Sequence, residues 1–265
     1  MTDTVDRTGL RQSDRLEAIT EMVLNSGSMR IEELSETFGV SAMTIHRDLD
    51  TLDLRGILRK SRGTATAVAS SLFESSTEYR IRQAKSAKKA VARAAFDLVE
   101  PGQAVILDDS TTGIYLAELL PEKQPLTVIT NFQRVAGLLT DDPGIALLVA
   151  GGQYYKWCEA YMGTVALNAI RSLRADIVFL SSPAVTDGVC YHQHHDAALI
   201  KEAMFSSAAR RVLYLDHTKF SMRALHAHKR VEDFDTVIVD GGTPEHVLDE
   251  LGNMNIELIV EALDN

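Results

Sequence analysis

Cysteine, proline and tryptophan are scarce in this chain, which has two, six and one of them among 265 residues. Two cysteines, Cys158 and Cys190, cannot form a disulfide framework, so we expect a reducing, cytoplasmic setting. No apolar run approaches the ~18–20 residues that a membrane helix needs, and the polar, acidic residues 1–6 do not predict a secretory signal peptide. We therefore expect a soluble globular protein with no membrane partner.

Positive charge is also in deficit, because 27 Lys and Arg face 37 Asp and Glu, a formal net charge of −10. Such a composition does not by itself predict binding to nucleic acid. The acidic residues are unevenly spread, however, since none occurs in 54–73, where four cations lie close together: Arg55, Arg59, Lys60 and Arg62. A second stretch without acids, 79–96, carries further lysines and arginines. Any contact with DNA is therefore expected from the N-terminal third.

The pattern of apolar residues changes near residue 70 and predicts two modules. Beyond it, short apolar runs are expected to be strands, at 104–107, 126–130, 145–149, 177–180, 212–215, 236–239 and 258–260. Segments of helical period lie between most of them, near 86–99, 113–120, 131–140, 161–173, 196–209 and 244–252. Buried strands that alternate with helices are typical of a mainly parallel sheet, so we predict an α/β fold. The predicted domains are 1–70 and 85–265, with 71–84 as a linker.

Three short helical patterns fill the first module. Each has one apolar face, formed by Leu16, Ile19 and Val23, then by Ile31, Leu34 and Phe38, then by Ile45, Leu49 and Leu52. Glycines at 27 and 39 end the first two helices, and Ser41 is placed to cap the third. Thr44, His46 and Arg47 lie on or beside the polar face of the third helix. This arrangement predicts a helix-turn-helix, whose second helix fits a major groove of DNA.

A basic hairpin is predicted directly after the third helix. Residues 57–68 have the pattern of two short strands around a basic turn, which is the pattern of a wing. A wing contacts phosphates or places an arm in the minor groove. The alternative is a three-helix packing module with one or two exposed arginines. We assign base contacts to Thr44, His46 and Arg47, and phosphate contacts to Arg55, Lys60 and Arg62. Ser41 is assigned to the same DNA-binding surface.

The residues of the third helix and its approach form a distinctive motif. Residues 34–41 read LSETFGVS and 44–49 read TIHRDL, before Leu52, Gly56 and Gly63. These residues resemble the DeoR-type bacterial repressors, whose third helix usually reads TIRRDL. This chain has His46 in place of the first arginine. A histidine can bond a base edge, but it lacks the bidentate fork of arginine.

The resemblance extends over the second module, at 108–112, 130–131, 151–152, 187–188 and 216–220. In DeoR-type repressors this domain is similar to ribose-5-phosphate isomerase and glucosamine-phosphate isomerase and senses a phosphorylated sugar or related metabolite. The resemblance implies the same here. The first three stretches follow predicted parallel strands, at the edge where open α/β sheets bind ligands. Ser110, Thr111 and Thr112 open a helix, whose free N–H groups suit an anion, and Lys219 supplies a cation.

The second module departs from the family pattern at Asp109 and Ser110, since the family usually has Asp-Ala-Gly-Thr-Thr at 108–112. Asp109 adds negative charge beside the anion loop. The histidine-rich stretch 191–196 has three interpretations: a metal site, hydrogen-bonding groups for ligand hydroxyls, or a polar loop in which Asp196 caps a helix. We predict no metal and no cofactor. Effector binding is assigned to Asp108, Ser110, Thr111, Thr112, Thr130, Asn131, Gly151, Gly152, Asp187, His192, His194, His195 and Lys219.

Together these features predict a DNA-binding transcriptional regulator rather than an enzyme. The expected role is repression of a carbohydrate-utilisation operon, with operator binding controlled by a small phosphorylated sugar. The expected partners are double-stranded operator DNA and the effector, and operator symmetry predicts a homodimer or homotetramer. The alternative is a sugar-phosphate isomerase-like enzyme with a DNA-binding appendage, because Asp108, Asp187 and Lys219 offer candidate bases and a cation.

Overall fold

The computed structural model describes residues 9–54, 58–67 and 77–263, apart from a few side chains within the first and fourth helices. The chain forms two compact units, Met1–Phe73 and Glu74–Asn265. Arg55, one of the predicted phosphate contacts, lies outside the described residues. The segment predicted as a linker, 71–84, is described only from residue 77, and there it contains a helix.

The first unit is a winged helix-turn-helix. Its elements are α1 (Gln12–Ser26), β1 (Ser28–Arg30), α2 (Ile31–Phe38), α3 (Ala42–Leu54), β2 (Leu58–Ser61) and β3 (Thr64–Ala67). The three apolar faces predicted from the sequence meet in one core, together with Leu58 and Ala65 of the wing. Gly39 turns the chain between α2 and α3 with φ of 62°, a left-handed conformation that favours glycine. The strands form an antiparallel sheet in the order β1-β3-β2.

The second unit has an α/β fold. Its elements, in chain order, are α4 (Thr77–Arg82), α5 (Lys85–Asp97), β4 (Ala104–Leu107), α6 (Thr111–Leu119), β5 (Leu126–Thr130), α7 (Gln133–Leu139), β6 (Ile145–Val149), β7 (Gln153–Tyr155), β8 (Ala160–Met162), α8 (Gly163–Arg171), β9 (Ala175–Leu180), β10 (Ala184–Thr186), β11 (Val189–His192), α9 (His195–Ser206), β12 (Ala208–Leu215), β13 (His226–Arg230), β14 (Thr236–Asp240), α10 (Glu245–Gly252) and β15 (Glu257–Glu261). Short 3₁₀ turns occur at Leu120–Lys123, His217–Phe220 and Val231–Asp233.

Seven parallel strands form the central sheet of this unit, in the order β15-β14-β12-β9-β4-β5-β6. Each of the seven apolar runs predicted to be a strand is one of them. The chain order reverses between β4 and β9, which lie side by side although two strands of the same sheet come between them in sequence. Such a switch point opens a crevice at the carboxyl ends of the strands, where ligands bind in open α/β sheets.

Two small antiparallel sheets were not predicted from the sequence. They are the β7–β8 hairpin and the sheet β10-β11-β13. These strands have three to five residues each, too few for an alternating pattern to stand out. In the part of the chain that is described, none of the helices has the length and apolar character needed to span a membrane.

Candidate DNA-binding surface and ligand site

The start of α3 is exposed and carries a side-chain cap. Ser41 Oγ accepts a hydrogen bond from the Thr44 N–H at 3.3 Å and lies 3.0 Å from Thr44 Oγ1. Arg47 and Met43 are exposed, Met43 by 63%, and Thr44 and His46 are half-buried. This end of α3 therefore presents hydroxyl, guanidinium, imidazole and thioether groups, which are suited to base edges in a major groove.

A buried ion pair holds α3 against α1. Asp48 is 1% exposed, and its Oδ2 lies 2.6 Å from Arg15 Nε. Its other oxygen accepts a hydrogen bond from Gln12 Nε2 at 3.1 Å, and Arg15 also donates to the Leu10 carbonyl. Asp48 is part of the TIHRDL motif, directly after Arg47. The pair therefore sets how the exposed face of α3 is presented, a role that sequence reasoning missed.

The wing is tied to α3 through Lys60. Its ammonium pairs with Asp50 and donates to the His46 carbonyl at 3.3 Å. Lys60 is half-buried, whereas Arg62 and Arg59 are exposed. The structure therefore gives Lys60 a positioning role within the unit and leaves the two arginines of the wing accessible to phosphates.

In the second unit, Asp108 is the centre of a buried hydrogen-bond network at the switch point. Its Oδ2 accepts from Lys201 Nζ at 2.6 Å and from the Ser181 N–H at 2.8 Å, and its Oδ1 accepts from the Ser110 N–H at 3.1 Å. The Tyr214 hydroxyl lies 2.7 Å from Ser110 Oγ. Burial and the Asp108 carboxylate raise the pKa of Tyr214 well above its usual value, so the phenol keeps its proton. These bonds hold the ends of β4, β9 and β12 together.

The N-terminus of α6 lies beside a lysine that the sequence did not single out. Lys88 of α5 donates to the Arg80 carbonyl of α4, and Thr111 Oγ1 donates to the same oxygen at 3.5 Å. Since the two donors share one acceptor, the ammonium of Lys88 is next to the start of α6. The first N–H groups of a helix have no partner within it, and Ser110 Oγ caps only that of Gly113, at 3.1 Å. N–H groups and an ammonium at one place favour an anion.

Lys219 adds a second cation to this region. Its Nζ lies 3.5 Å from Asp216 Oδ2 at the end of β12. The pKa of Lys88 is lowered to about 7, mainly by burial and also by the nearby Lys219, while Asp216 opposes the shift. The pKa of Asp216 itself is lowered because Lys219 and Lys88 outweigh its burial. The positive charge of the two lysines thus exceeds the negative charge of Asp216 in this cluster. A bound anion would neutralise that excess.

Four further predicted residues lie along the same edge of the sheet, on the far side of β4: Thr130, Asn131, Gly151 and Gly152. Asn131 is buried and donates to the Tyr161 carbonyl at 3.0 Å. A Cβ on Gly152 would come within 2.6 Å of the Met162 carbonyl oxygen, so this glycine is required for close packing against β8. Gly151 is exposed and has no neighbour within 4 Å of the corresponding position.

The histidines of the loop have different surroundings. His192 is buried, and its Nδ1 accepts from the His194 N–H at 3.0 Å. Burial and Lys201 hold the pKa of His192 well below its usual value, so the ring is neutral. His194 stacks on Trp157 with ring centroids 4.3 Å apart, and His195 contacts His226. No group of three or more His, Cys, Asp or Glu side chains among the described residues is arranged to hold a metal ion.

Asp187 is not brought to this cluster. It lies at the turn between β10 and β11 with φ of 49°, and lines a separate groove with Arg230, Glu250 and Met254. Asp196 does not cap α9, because that helix begins at His195, and it accepts instead from the Tyr155 hydroxyl at 2.6 Å. The structure thus places predicted effector residues of the first three stretches at the carboxyl ends of strands in the central sheet, and Lys219 shortly after β12. His192, His194 and His195 instead follow β11 of the small antiparallel sheet, and Asp187 lines the separate groove.

Sequence reasoning missed Lys88 and Lys201, although both leave a detectable signal. Each is a lysine at a core-facing position of its helix: Lys88 lies three residues before Val91, and Lys201 lies four after Ala197. Both side chains are buried. Because a lysine is rarely buried unless it is paired, a lysine in an apolar helix face indicates an acidic or anionic partner.

These observations define a class of protein. One chain contains a winged helix-turn-helix unit and an α/β unit with polar groups at a switch point, and this combination is typical of a ligand-responsive DNA-binding regulator. Residues 15–71 match the family described as DeoR-like helix-turn-helix domain, and residues 83–241 match the DeoR C terminal sensor domain. The chain belongs to the DeoR family of transcriptional regulators.

Curated relatives that match over most of their own length agree with this architecture. The HTH-type transcriptional regulator YgbI of Escherichia coli K12 is 30% identical over 93% of this chain and 97% of its own length. The lactose phosphotransferase system repressor of Lactococcus lactis is 27% identical over 90% of this chain and 95% of its own. Among solved structures, ribose 5-phosphate isomerase A of Methanocaldococcus jannaschii has a TM-score of 0.38 and 16% identity, covering 50% of this chain and 53% of the isomerase.

Proposed function

We propose that this regulator represses a carbohydrate-utilisation operon and that a small phosphorylated carbohydrate, bound at the switch point of the second unit, controls its affinity for the operator. The observation that carries the effector proposal is the shared contact of Lys88 and Thr111 at the start of α6. Lys219 is close enough to Lys88 to lower its pKa. A phosphate placed there accepts from the helix N–H groups, the threonine hydroxyls and two ammonium groups. Operators that the protein binds as paired half-sites imply a homodimer or homotetramer in the cytoplasm.

The ligand's effect has a physical route to the chain segment that leads from the DNA-binding unit. α4 is the first described element after that segment, and it is bound to the ligand site by its carbonyl groups. Besides the Arg80 carbonyl, the Ile81 carbonyl accepts from the Tyr115 hydroxyl at 3.1 Å. An anion that takes Lys88 and Thr111 as donors competes with these carbonyls. Ligand binding is therefore expected to shift α4 between two arrangements, to the extent that the ligand prefers one of them.

The site supports binding better than turnover. Isomerisation of a sugar phosphate needs a base that is free to take a proton from carbon. The Asp108 carboxylate is occupied by Lys201 and by two backbone N–H groups. His192 Nδ1 already accepts a hydrogen bond, and the Asp109 carboxylate, whose pKa is lowered to about 2, is a weak base. We therefore propose that the second unit senses its ligand without converting it.

For the DNA-binding surface, we expect that Arg47→Ala removes most of the sequence preference. Loss of a guanidinium that bonds a guanine edge costs about 1–3 kcal/mol on the preferred sequence and little on others. The measurement is fluorescence anisotropy with the full chain, on a duplex that the wild-type protein selects from a random library and on its scrambled counterpart. The matched control is Arg59→Ala on the exposed wing, which is expected to weaken both duplexes alike and to reduce the salt slope by about one. Equal loss on both duplexes for Arg47→Ala would contradict the assignment of base contacts.

For the effector, we expect the operator affinity to respond to phosphorylated sugars and not to the same sugars without phosphate. Matched pairs of pentoses and hexoses with their phosphates are added to the protein–operator complex, and anisotropy reports release or tightening. Lys219→Met is expected to abolish the response, because the anion loses a charge-assisted bond. Arg223→Met, at an exposed cation four residues further on, should leave it intact. A response to the unphosphorylated member of a pair alone would refute the phosphate site.

A further inference from the structure

One oxygen of Asp109 is buried without a hydrogen-bond donor. Asp109 follows Asp108 at the end of β4 and is 2% exposed. Its Oδ1 lies 3.2 Å from Lys201 Nζ, but its Oδ2 has no partner among the described residues. Buried acceptors in native proteins are nearly always bonded to protein, water or ligand, because an unmet carboxylate oxygen is costly. This oxygen therefore requires a donor from outside the chain.

The Asp109 carboxylate is charged at all ordinary pH values. Burial by itself is the largest influence and raises its pKa, but the surrounding cationic groups, Lys201 first and then Arg80, together outweigh burial and lower the pKa to about 2. A charged carboxylate accepts hydrogen bonds and cannot donate one. Its neighbour must then be a donor, and a second anionic group beside it would be repelled.

Asp109 directly precedes the proposed phosphate site in the chain, and Arg80, whose carbonyl accepts from Lys88 and Thr111 there, is close enough to lower the pKa of Asp109. Ser110 and Thr111 follow directly and begin α6, where the phosphate is expected. Two other buried oxygens without partners among the described residues are Asn131 Oδ1, directly after β5, and Gln193 Oε1, directly after β11. All three oxygens are acceptors. A ligand that satisfies them carries several donors, as the hydroxyl groups of a sugar or polyol do.

We propose that Asp109 determines specificity: its Oδ2 accepts a hydrogen bond from a hydroxyl of the phosphorylated ligand and excludes ligands that carry a carboxylate at that position. The proposal rests on the proposed function of the second unit. It narrows the effector class to phosphates of neutral sugars or polyols and separates them from phosphates of sugar acids. A loop with alanine at this position, as in the usual family pattern, has no such charge.

The test is calorimetry with the full chain and matched probes that differ in one group. The probes are inorganic phosphate and the 6-phosphates of hexoses and hexitols, each compared with the corresponding hexonic acid 6-phosphate. For the wild-type protein we expect at least one neutral phosphate to bind tenfold or more tightly than its acid counterpart. Asp109→Asn is expected to weaken that neutral ligand roughly tenfold, to strengthen the acid, and to leave inorganic phosphate unchanged or bound more tightly, because a negative charge beside the anion site is removed.

Tighter binding of the hexonic acid 6-phosphate by the variant is the decisive readout, because a merely structural defect would weaken the binding of every ligand. Asp109→Ala is the second variant and should show the same gain, since it removes the repelling charge without adding a donor. Asp187→Asn, in the separate groove, is the matched control and should change no affinity. If neutral and acidic phosphates bind but their ratio is the same in the variants as in the wild type, the proposal is overturned. If no phosphate probe binds the wild-type protein, the proposed effector site itself is wrong and the inference fails with it.

Discussion

Asp48→Ala is expected to abolish operator binding and to lower the free energy of unfolding of the DNA-binding unit by about 3–5 kcal/mol. The carboxylate is buried against Arg15 with an Nε–Oδ2 distance of 2.6 Å, and Gln12 bonds its other oxygen. Removal of one partner leaves the guanidinium buried and unpaired, which costs far more than an exposed ion pair contributes. A small unit has only a few kcal/mol of net stability, so a loss of this size unfolds a large part of the population.

The measurement is differential scanning calorimetry of the full chain together with anisotropy on the selected operator. Asp53→Ala is the matched control, because Asp53 is an exposed acid on the same helix, and it should leave both readouts close to wild type. The double variant Arg15→Met with Asp48→Leu removes both charges and is expected to recover most of the stability. A double variant as unstable as Asp48→Ala would contradict the stabilising role of this ion pair.

Lys88→Met is expected to weaken binding of the phosphorylated effector tenfold to a hundredfold, roughly the contribution of one charge-assisted hydrogen bond. It should also remove a pH dependence. The pKa of Lys88 is lowered to about 7 in the free protein, and an anion beside it favours the charged form, so binding takes up a proton. Between pH 7.0 and 8.5 the wild-type affinity should fall roughly tenfold as the free lysine loses its proton. The phosphate is already dianionic there, since its second pKa is about 6.

Calorimetry in two buffers of different ionisation enthalpy measures that proton uptake, and it should be close to one at pH 8.5 and near zero for Lys88→Met. Lys85→Met, at an exposed lysine one turn earlier, should behave as wild type. Without ligand the sign reverses: the unfolded chain holds the lysine proton up to its usual pKa, so stability rises with pH between about 7 and 10.5. A flat affinity profile in the wild-type protein would remove Lys88 from the anion site.

Much of the architecture could be predicted because its signals are local. The seven strands of the central sheet are short apolar runs bounded by turns, and the three helices of the first unit have clear apolar faces. The Ser41 cap and the Gly39 turn also depend on neighbouring residues alone. By contrast, β11 pairs with β13, which is distant in sequence. α4 formed where a linker was predicted, and its carbonyls bond to Thr111 and Tyr115, which are also distant in sequence.

The candidate site was predicted in part for the same reason. Its location followed from Asp108 and Thr130 at the ends of predicted strands, since parallel strands end at one edge. The pairing of its charged side chains could not be predicted from the sequence. Lys201 is 93 residues from Asp108 along the chain, so nothing in the sequence indicates that they pair. Asp187 was assigned to the site because of the family resemblance, but in the structure it lines another groove.

The sequence by itself determined the class of each unit, the order of elements and the motif that indicates DNA binding. These features depend on the spacing of apolar residues and on the residues at turns, which are properties of neighbouring residues in the chain. Only the tertiary structure decided which charges meet. It buried Asp48 with Arg15, gave Asp108 and Asp109 one lysine between them, and brought Lys88 to the start of α6. These pairings depend on how distant elements pack, and burial makes each of them strong enough to shift a pKa or to stabilise the fold.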